Sequence, residues 1–428
     1  MSPNVLAIII VLLLFLLWNL DFVASLLNLK ALSPKLPAEF VGVYDPEKYA
    51  KSQAYTAEGT RFDIIQSIIM LGILLAFWFG GGFGWLDTFA RSFGQGPTVT
   101  GLIYIGVIGL GSMLIGLPFS IYETFVIEEK FGFNKTTPGL FVVDTIKSLI
   151  LSALLAAPLL AGIFWLFENL PYAWLWAWLF VSAFSLLLQY LAPTLILPLF
   201  NKFEPMPDGP LKDDIHACAD TCGFPLTELF VMDGSKRSTK ANAFFTGFGK
   251  KKKIALFDTL IEEQSNEEIV AVLAHEIGHF KCRHIIKRTL IGLLKTGAVF
   301  FLLGLVTARD GAFARLLFDA FKVENISIYV GIVLFGILFK PVSRILGIFA
   351  AASSRKDEFE ADAYAKMAQG SPEFLISALK KLSVRNLSNL TPHPLRVFLD
   401  HSHPPVLKRI AALRGSSDTP TLKVSLES

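Results

Sequence analysis

The sequence predicts a polytopic α-helical membrane protein with seven transmembrane helices and a small α/β region outside the bilayer. Hydrophobic residues make up 53% of the 428 residues and charged residues only 18%, whereas soluble domains carry about 25% charged residues. Seven apolar stretches are long enough to cross a hydrocarbon core of about 30 Å as helices. They cover residues 5–27, 64–84, 100–120, 139–166, 172–197, 289–307 and 326–347.

The first stretch has features that distinguish it from a signal peptide, and the last stretch and some others contain charged residues. The first stretch has no basic residue before it and is too long for the apolar core of a signal peptide, so we expect an uncleaved transmembrane helix. The last stretch is interrupted by Lys340 and Arg344. Charges also lie in earlier spans, where Asp144 and Lys147 are three residues apart on one helical face and are expected to pair. A water-filled space between the helices would accommodate them, together with Asp21 and Lys295.

The Lys and Arg content of the loops predicts the orientation, because basic loops stay in the cytosol. Loops 28–63, 121–138 and 198–288 carry 5, 2 and 13 basic residues, whereas loops 85–99, 167–171 and 308–325 carry 1, 0 and 3. We therefore expect loops 28–63, 121–138 and 198–288 and the C-terminal tail to face the cytosol.

Charge and cysteine content exclude several classes of protein. The net charge is +3 and no basic patch has interleaved aromatic residues, so nucleic acid is not an expected partner. Three cysteines, Cys218, Cys222 and Cys282, cannot form a disulfide framework and are expected to stay reduced in the cytosol. We interpret Cys218 and Cys222 as small hydrophobic residues of one amphipathic helix rather than as metal ligands.

The stretches divide the chain into four regions. Residues 1–200 hold the first five spans and their loops, 201–288 the cytosolic catalytic region, 289–350 spans six and seven, and 351–428 a cytosolic C-terminal region. Within the second region we predict a helix over 211–222 and strands over 228–233, 243–248 and 254–258. A further helix is predicted from 266 to 288 and on into the membrane. It begins with a capping box formed by Ser265 and Glu268.

Residues 275–279 on this helix read HEIGH. Residues four apart project from the same helical face, so the rings of His275 and His279 can reach one Zn²⁺ at about 2.0–2.1 Å. Glu276 lies beside them and can take a proton from a water molecule at the ion. The pattern therefore predicts a zinc-dependent peptidase.

A catalytic zinc site needs a third protein ligand. Residues 357–362 read DEFEAD, on a soluble helix that we expect to continue the last span. Glu358 can bind the metal, and Asp362, four residues on, can accept the outer ring N–H of a ligand histidine. Glu360 points elsewhere on the helix and is the alternative ligand.

Several motifs in a fixed order make the chain similar to the type I CAAX prenyl endopeptidases, a family of membrane-embedded gluzincins. The resemblance runs through most of the sequence. It rests on YETFVIEEKFGFNKT at 122–136, PLFNKF at 198–203, NAFFTG at 242–247, IALFDT at 254–259, HEIGH at 275–279, the residues Ser354, Arg355, Glu358, Ala361 and Asp362, and SHPP at 402–405.

The resemblance implies seven helices around a hollow chamber, with a zincin-like catalytic region at its cytosolic end and one Zn²⁺ per chain. It implies His275, His279 and Glu358 as ligands, Glu276 as the base and Asp362 as support. Asn242 and Ala243 would lie on the strand that aligns the substrate backbone, His403 would hydrogen-bond the oxyanion, and Arg409 would support the site. The implied partners are the lipid bilayer and a peptide or protein substrate, either prenylated or unmodified.

Two other functions compete with removal of the C-terminal tripeptide of prenylated proteins. An HtpX-like quality-control metalloprotease would share the zinc motif, but such enzymes have fewer spans. A non-catalytic metal-binding membrane protein would need neither Glu276 nor an edge strand. The segment between the last two spans is short and the C-terminus has no dilysine signal, which differs from the eukaryotic pattern. We expect an endoplasmic reticulum location for a eukaryotic chain and the inner or plasma membrane for a bacterial one.

Overall fold

A computed structural model describes residues 1–246, 252–308 and 311–415 of the protein. Within these ranges, seven helices are long and apolar enough to cross a membrane, which agrees with the seven predicted spans. They are Pro3–Ala31, Pro46–Phe79, Pro97–Phe131, Pro138–Asn169, Ala173–Phe200, His284–Val306 and Ile328–Gln369.

The helices and strands have the following bounds. The α-helices are α1 (Pro3–Ala31), α2 (Pro46–Phe79), α3 (Gly82–Arg91), α4 (Pro97–Tyr122), α5 (Glu129–Phe131), α6 (Pro138–Asn169), α7 (Ala173–Leu191), α8 (Leu197–Phe200), α9 (Pro210–Thr221), α10 (Asp258–Ile261), α11 (Asn266–Lys281), α12 (His284–Val306), α13 (Ala312–Ala320), α14 (Ile328–Gln369), α15 (Glu373–Arg385), α16 (Pro394–Asp400) and α17 (Val406–Leu413). π-Helical turns at Glu123–Glu128 and Ala192–Ile196 link α4 to α5 and α7 to α8. The strands are β1 (Phe203–Pro205), β2 (Leu226–Met232), β3 (Ala243–Thr246) and β4 (Lys252–Phe257).

Several spans begin sharply because their first residue is proline. Proline has no N–H to leave unpaired in the first turn, and its fixed φ suits a helix. In α1, α2 and α6 the residue before the proline also caps the helix: the side chains of Ser2, Asp45 and Thr137 accept backbone N–H groups of the first turn. These caps set where the chain enters each span.

The membrane helices pack sparsely. No more than 22% of the residues in the apolar part of any span are buried, whereas the inward faces of a close-packed bundle would be buried throughout. A cavity of about 1030 Å³ lies between α4 and α6. Another of about 690 Å³ is lined by α1, α2, α3, α4 and α14. This packing agrees with the predicted hollow interior.

The soluble α/β region contains a four-stranded sheet with the order β1-β2-β4-β3. β2 and β4 are parallel, and β1 and β3 pair antiparallel to them on the two outer sides. The three predicted strands are confirmed with small changes of bounds, except that residues 247–248, at the end of the second one, lie outside the described ranges. α9 confirms the predicted short helix, and Gly223 follows it at φ +55°. The outer position of β3 leaves one edge of the sheet without a partner strand among the described residues.

The helix α11 lies at the centre of the soluble core. Its capping box is present as predicted, with Ser265 and Glu268 bonded to each other's backbone. One face of α11, including Ile269 and Ile277, packs in a cluster with α9 and the sheet. Another face carries Ala271 and Ala274 in a cluster with α14, α15 and α17. Burial of each isoleucine contributes about 1.5–3 kcal/mol, so the motif-bearing helix is held on two sides.

The prediction of one continuous helix from residue 266 into the membrane is wrong. α11 ends at Lys281, Arg283 adopts φ +56° and ψ 28°, and α12 begins at His284. A left-handed residue turns the chain axis, and it is unusual for a residue other than glycine, asparagine or aspartate. Because arginine rarely adopts this conformation, the sequence gives no sign that the helix breaks at Arg283. The other predicted continuation is confirmed, because α14 runs unbroken for 42 residues through Glu358.

The expected pair between Asp144 and Lys147 is also wrong. Both carboxylate oxygens of Asp144 accept from Arg237, at 2.8 and 3.1 Å. Lys147 Nζ instead donates to the carbonyl of Leu199 at 2.9 Å. A planar guanidinium binds both oxygens of a carboxylate at once, which a lysine on the same helix cannot do. The charge in this span therefore anchors α6 to the soluble region.

Candidate active site

The structure brings together the three residues predicted to bind a metal. His279 Nε2 lies 3.3 Å from Glu358 Oε1, and His275 Nε2 lies 3.6 Å from Glu358 Oε2. One ligand atom from each residue lies within 4.8 Å of the others. The two rings share one face of α11 because they are four residues apart, and α14 crosses this face with Glu358 pointing at both. Glu276 is half-buried on the adjoining part of α11.

The donor set and its surroundings fit a metal ion. Glu358 is 2% exposed, and its Oε2 atom makes no well-aligned hydrogen bond within the described part of the chain, although His403 Nδ1 and Arg409 Nη1 lie 2.9 and 3.3 Å from it. A buried carboxylate oxygen without a well-aligned hydrogen bond is costly, whereas a cation among the three residues would satisfy it. Two imidazoles and one carboxylate are also a known donor set of catalytic zinc sites.

Asp362 supports His275 from behind. Its Oδ1 atom lies 2.9 Å from His275 Nδ1, so the opposite nitrogen, Nε2, is free to face Glu358. Arg409 donates to both oxygens of Asp362, at 2.6 and 2.9 Å. Burial lowers the pKa of Arg409, but the Asp362 carboxylate outweighs this effect and leaves that pKa above its ordinary value. The guanidinium therefore stays charged and fixes the orientation of the carboxylate and of the His275 ring.

Glu358 is held in its ionised form by the same group of residues. It lies beyond the apolar part of α14. Burial alone would raise the pKa of this carboxyl, but contacts with His279 and His403 and the charges of His275 and Arg409 hold the pKa well below its usual range. A metal ligand must be deprotonated, so the surroundings favour the form of Glu358 that binds a cation.

His403 reaches the site from the loop between α16 and α17. Its Nδ1 atom lies 2.9 Å from Glu358 Oε2, and its side chain is 65% exposed. Arg355 of α14 positions this loop by donating to the carbonyl of His401 at 2.7 Å and to that of Val397 at 3.0 Å. The structure thus places an exposed imidazole beside the three candidate ligands, where a substrate carbonyl could meet it.

Asn242 and Ala243 lie at the outer edge of the sheet, on the side of β3 that has no partner strand among the described residues. Ala243 is the first residue of β3 and pairs with Leu256 of β4. The exposed Asn242 accepts the N–H of Phe257 with its carbonyl at 3.2 Å, and its side-chain oxygen accepts the N–H of Ala243 at 2.9 Å. An extended peptide can pair with such an edge through main-chain hydrogen bonds.

Gly278 is a site residue that the sequence interpretation passed over as an unassigned position of the motif. A Cβ atom on Gly278 would lie 3.0 Å from both Cα and O of Ala361 and 3.1 Å from Cβ of Tyr364. Two of these three atoms are backbone atoms of α14 and cannot turn away. The missing side chain therefore lets α11 approach α14 closely enough for His279 to meet Glu358.

Replacing Gly278 with valine is expected to force α11 and α14 apart. Overpacking of this kind costs about 1–3 kcal/mol, and the separation also weakens the metal site. We expect a lower Tm in the presence of chelator and a lower metal content after purification. Gly292→Val is the matched control, because nothing lies within 4 Å of a Cβ at that glycine. Equal Tm and metal content in the Gly278→Val variant and the wild type would contradict the close-approach argument.

Comparison with known proteins agrees with this arrangement. Residues 25–202 match the family model described as CAAX prenyl protease N-terminal, five membrane helices, and residues 205–417 match Peptidase family M48. A CAAX prenyl protease 1 homolog of Oryza sativa is 38% identical over 394 residues, covering 90% of this chain and 91% of the relative. The CAAX prenyl protease 1 of Saccharomyces cerevisiae is 36% identical over 404 residues, covering 89% and 88%.

A solved structure extends the likeness to three dimensions. The crystal structure of S. mikatae Ste24p superposes with a TM-score of 0.87 at 34% sequence identity, covering 95% of this chain and 98% of that one. The match includes the membrane helices as well as the soluble region, so this is a multi-pass membrane protein with a peptidase region. The chain belongs to peptidase family M48, a family of metalloproteases, and carries the five-helix N-terminal region of the CAAX prenyl proteases.

Proposed function

We propose that this protein is a zinc-dependent endopeptidase that removes the C-terminal tripeptide of prenylated proteins. The observation that carries the proposal is the convergence of His275, His279 and Glu358, which place one ligand atom each within 4.8 Å of the others. The substrate class is supported by the relatives, which are named CAAX prenyl proteases and cover about nine tenths of the chain. Coverage of about nine tenths of the chain by these relatives and the matched five-helix region favour this function over that of an HtpX-like enzyme.

Each residue of the site has one task in peptide hydrolysis. His275, His279 and Glu358 would hold Zn²⁺, which supplies Lewis acidity to the scissile carbonyl and to the attacking water. Glu276 takes the proton of that water and delivers it to the leaving amine. His403 donates a hydrogen bond to the oxyanion as the carbonyl is attacked. Asp362 and Arg409 keep the His275 ring oriented.

The edge of β3 would align the substrate. A peptide paired with β3 is extended, and its main chain is held whatever its side chains are. The segment from Asn242 to β3 would therefore fix the direction of the peptide. Recognition of the substrate would then come from its lipid, for which the large cavity between α4 and α6 offers a lining rich in apolar residues such as Leu102, Met113 and Leu160.

The test uses purified protein and one CAAX-type peptide with and without its prenyl group. We expect release of the C-terminal tripeptide from both, with kcat/KM at least about 10-fold higher for the prenylated peptide. Burial of only two prenyl carbons, at about 0.8 kcal/mol each, gives this factor. Equal rates would show that the protein is an endopeptidase but does not recognise the prenyl group, which would contradict the proposed substrate class. Absence of cleavage of either peptide would refute the proposed function.

We also propose that the catalytic region faces the cytosol, in the endoplasmic reticulum membrane of a eukaryote or the plasma membrane of a bacterium. Two spans, α12 and α14, separate His279 from Glu358, and an even number of crossings returns the chain to the same side. The same cleavage assay in sealed vesicles tests the orientation with a membrane-impermeant peptide. Cleavage is expected only in vesicles whose cytosolic face is outward.

The four-region division of the chain is proposed on the same basis. The change from one family model to the other between residues 202 and 205 supports a boundary near 200. α12 begins four residues before the predicted boundary at 288, and α14 passes through the boundary at 350 without a break. Residues 416–428 of the C-terminal region lie outside the described ranges.

A further inference from the structure

The two candidate histidine ligands differ in the partner of Nδ1, the ring nitrogen that faces away from the metal site. Asp362 accepts from the outer nitrogen of His275. Behind His279 there is no carboxylate at that distance among the described residues. Instead, His279 Nδ1 lies 2.9 Å from the Nδ1 atom of His284. The second nitrogen of His284, Nε2, lies 3.0 Å from Glu360 Oε2. Three side chains thus form a chain of contacts leading away from the metal site.

This arrangement depends on the break between α11 and α12. In a continuous helix, residues five apart are separated by about 140° around the axis, so His284 would point away from His279. The left-handed conformation of Arg283, at φ +56°, turns the chain and brings the two rings to face each other. Such a conformation is unfavourable for arginine, and strained residues of this kind cluster at functional sites.

The ring protons assign a direction to each contact. A histidine that binds a metal through Nε2 is neutral and carries its proton on Nδ1. His279 Nδ1–H can then only donate to His284 Nδ1. The proton of His284 must therefore be on Nε2, where it is donated to Glu360. Every ring nitrogen of His279 and His284 that does not face the metal then has a hydrogen-bond partner.

The surroundings favour Glu360 as the terminal acceptor. His284 is 2% exposed, so its ring has no access to bulk water. Asp357 lies 3.8 Å from His284 Nε2, too far for a hydrogen bond, and its oxygens are occupied by Arg288 and Lys287 at 2.9 and 3.4 Å. Lys356 Nζ lies 3.7 Å from the other oxygen of Glu360.

We propose that His284 and Glu360 are positioning residues that orient His279 for metal binding, as Asp362 and Arg409 orient His275. The proposal rests on the metal centre proposed above. It gives each histidine ligand its own carboxylate: Asp362 acts directly, and Glu360 acts through an intervening imidazole. Outer hydrogen bonds of this kind fix the tautomer and direction of a metal-binding ring, and their loss lowers metal affinity by about 10- to 100-fold.

A second cation site is the competing explanation of the same cluster. Cys282, His284 and Glu360 also place one possible ligand atom each within 4.8 Å of the others. A cation on His284 Nε2 would displace the proton that this nitrogen donates to Glu360. The two explanations therefore cannot hold together. Cys282 distinguishes the two explanations, because it belongs to the second cation site but not to the hydrogen-bonded chain of His279, His284 and Glu360.

The experiment measures zinc affinity of the purified full-length protein by competition with a chelator. We expect His284→Ala and Glu360→Ala to bind zinc about 10- to 100-fold more weakly than the wild type. Glu360→Gln keeps an oxygen that accepts from His284 and is expected to stay within about 3-fold. Cys282→Ala is the matched control and should not change the affinity.

Two further readouts separate orientation from general destabilisation. In cobalt-substituted protein, Glu360→Ala should alter the visible absorption bands of the metal, whereas Glu360→Gln should restore them. The Tm of the chelator-treated protein should be equal in the wild type, Glu360→Ala and Glu360→Gln. Unchanged affinity in Glu360→Ala would overturn the proposal. So would two zinc ions per chain in the wild type and one in Cys282→Ala. Neither result depends on peptide cleavage, so failure of the proposed function would be recognised separately.

Discussion

Glu276→Gln is expected to lower peptide cleavage by at least about 10²-fold, the usual contribution of a positioned general base. Glutamine keeps the size and a polar head group but cannot accept the proton of the attacking water. The metal content should remain close to that of the wild type, because the three candidate ligands are unchanged. Turnover and zinc content measured on the same purified sample test both parts of the prediction.

Glu262→Gln is the matched control for this experiment. Glu262 is an exposed glutamate shortly before α11 and outside the site. It should retain wild-type cleavage. Wild-type cleavage by the Glu276→Gln protein would remove Glu276 from the mechanism. Loss of zinc together with activity would mean that Glu276 acts on the metal site rather than on the proton.

Glu358→Ala is expected to lose bound metal and all measurable cleavage. It removes one of three protein ligands, and the remaining imidazoles have no carboxylate between them. A bound ion stabilises the folded state by an amount that depends on its affinity, so added zinc should raise the Tm of the wild type but not of this variant. Metal analysis and thermal unfolding with and without zinc test the prediction.

Glu324→Ala serves as the control, because Glu324 is an exposed glutamate just before the same helix, α14. It should keep both the metal and the zinc-dependent rise in Tm. A normal metal content in Glu358→Ala would show that another carboxylate binds the ion. Glu360 would not be an alternative with this geometry, because its side chain contacts His284 and not His275 or His279.

The parts of the site that follow from local geometry could be predicted from the sequence. Residues four apart on a helix face the same way, which gives the pairing of His275 with His279 and of Glu358 with Asp362. The same rule places Glu358 and Glu360 on nearly opposite faces, but it left Glu360 as the alternative ligand, because the face that meets the histidines depends on how α14 packs against α11. The spans could be predicted because twenty apolar residues have few alternatives to crossing a bilayer.

Features that depend on the approach of distant segments could not be predicted in this way. Asp144 and Arg237 are 93 residues apart, and no local pattern joins them. The need for glycine at Gly278 exists only once α14 lies against α11. The left-handed turn at Arg283 replaces a helix that propensity would continue, since arginine is a good helix former. Tertiary contacts decide the conformation at each of these positions.

The unbroken course of α14 connects one side of the site to the lipid. Pro341 interrupts the hydrogen bonding of this helix within its apolar part, and Glu358 lies 17 residues further on, about 26 Å along the axis. A tilt of about 3° at Pro341 would therefore move Glu358 by more than 1 Å. The helix that carries His275 and His279 is separated from its own span by the turn at Arg283 and meets this movement only through its packing against α14. Helix tilt adjusts to bilayer thickness, and metal–ligand distances tolerate only about 0.2 Å. A change in bilayer thickness would therefore reach the site through α14, the helix that carries the carboxylate, and not through the span that follows the two histidines.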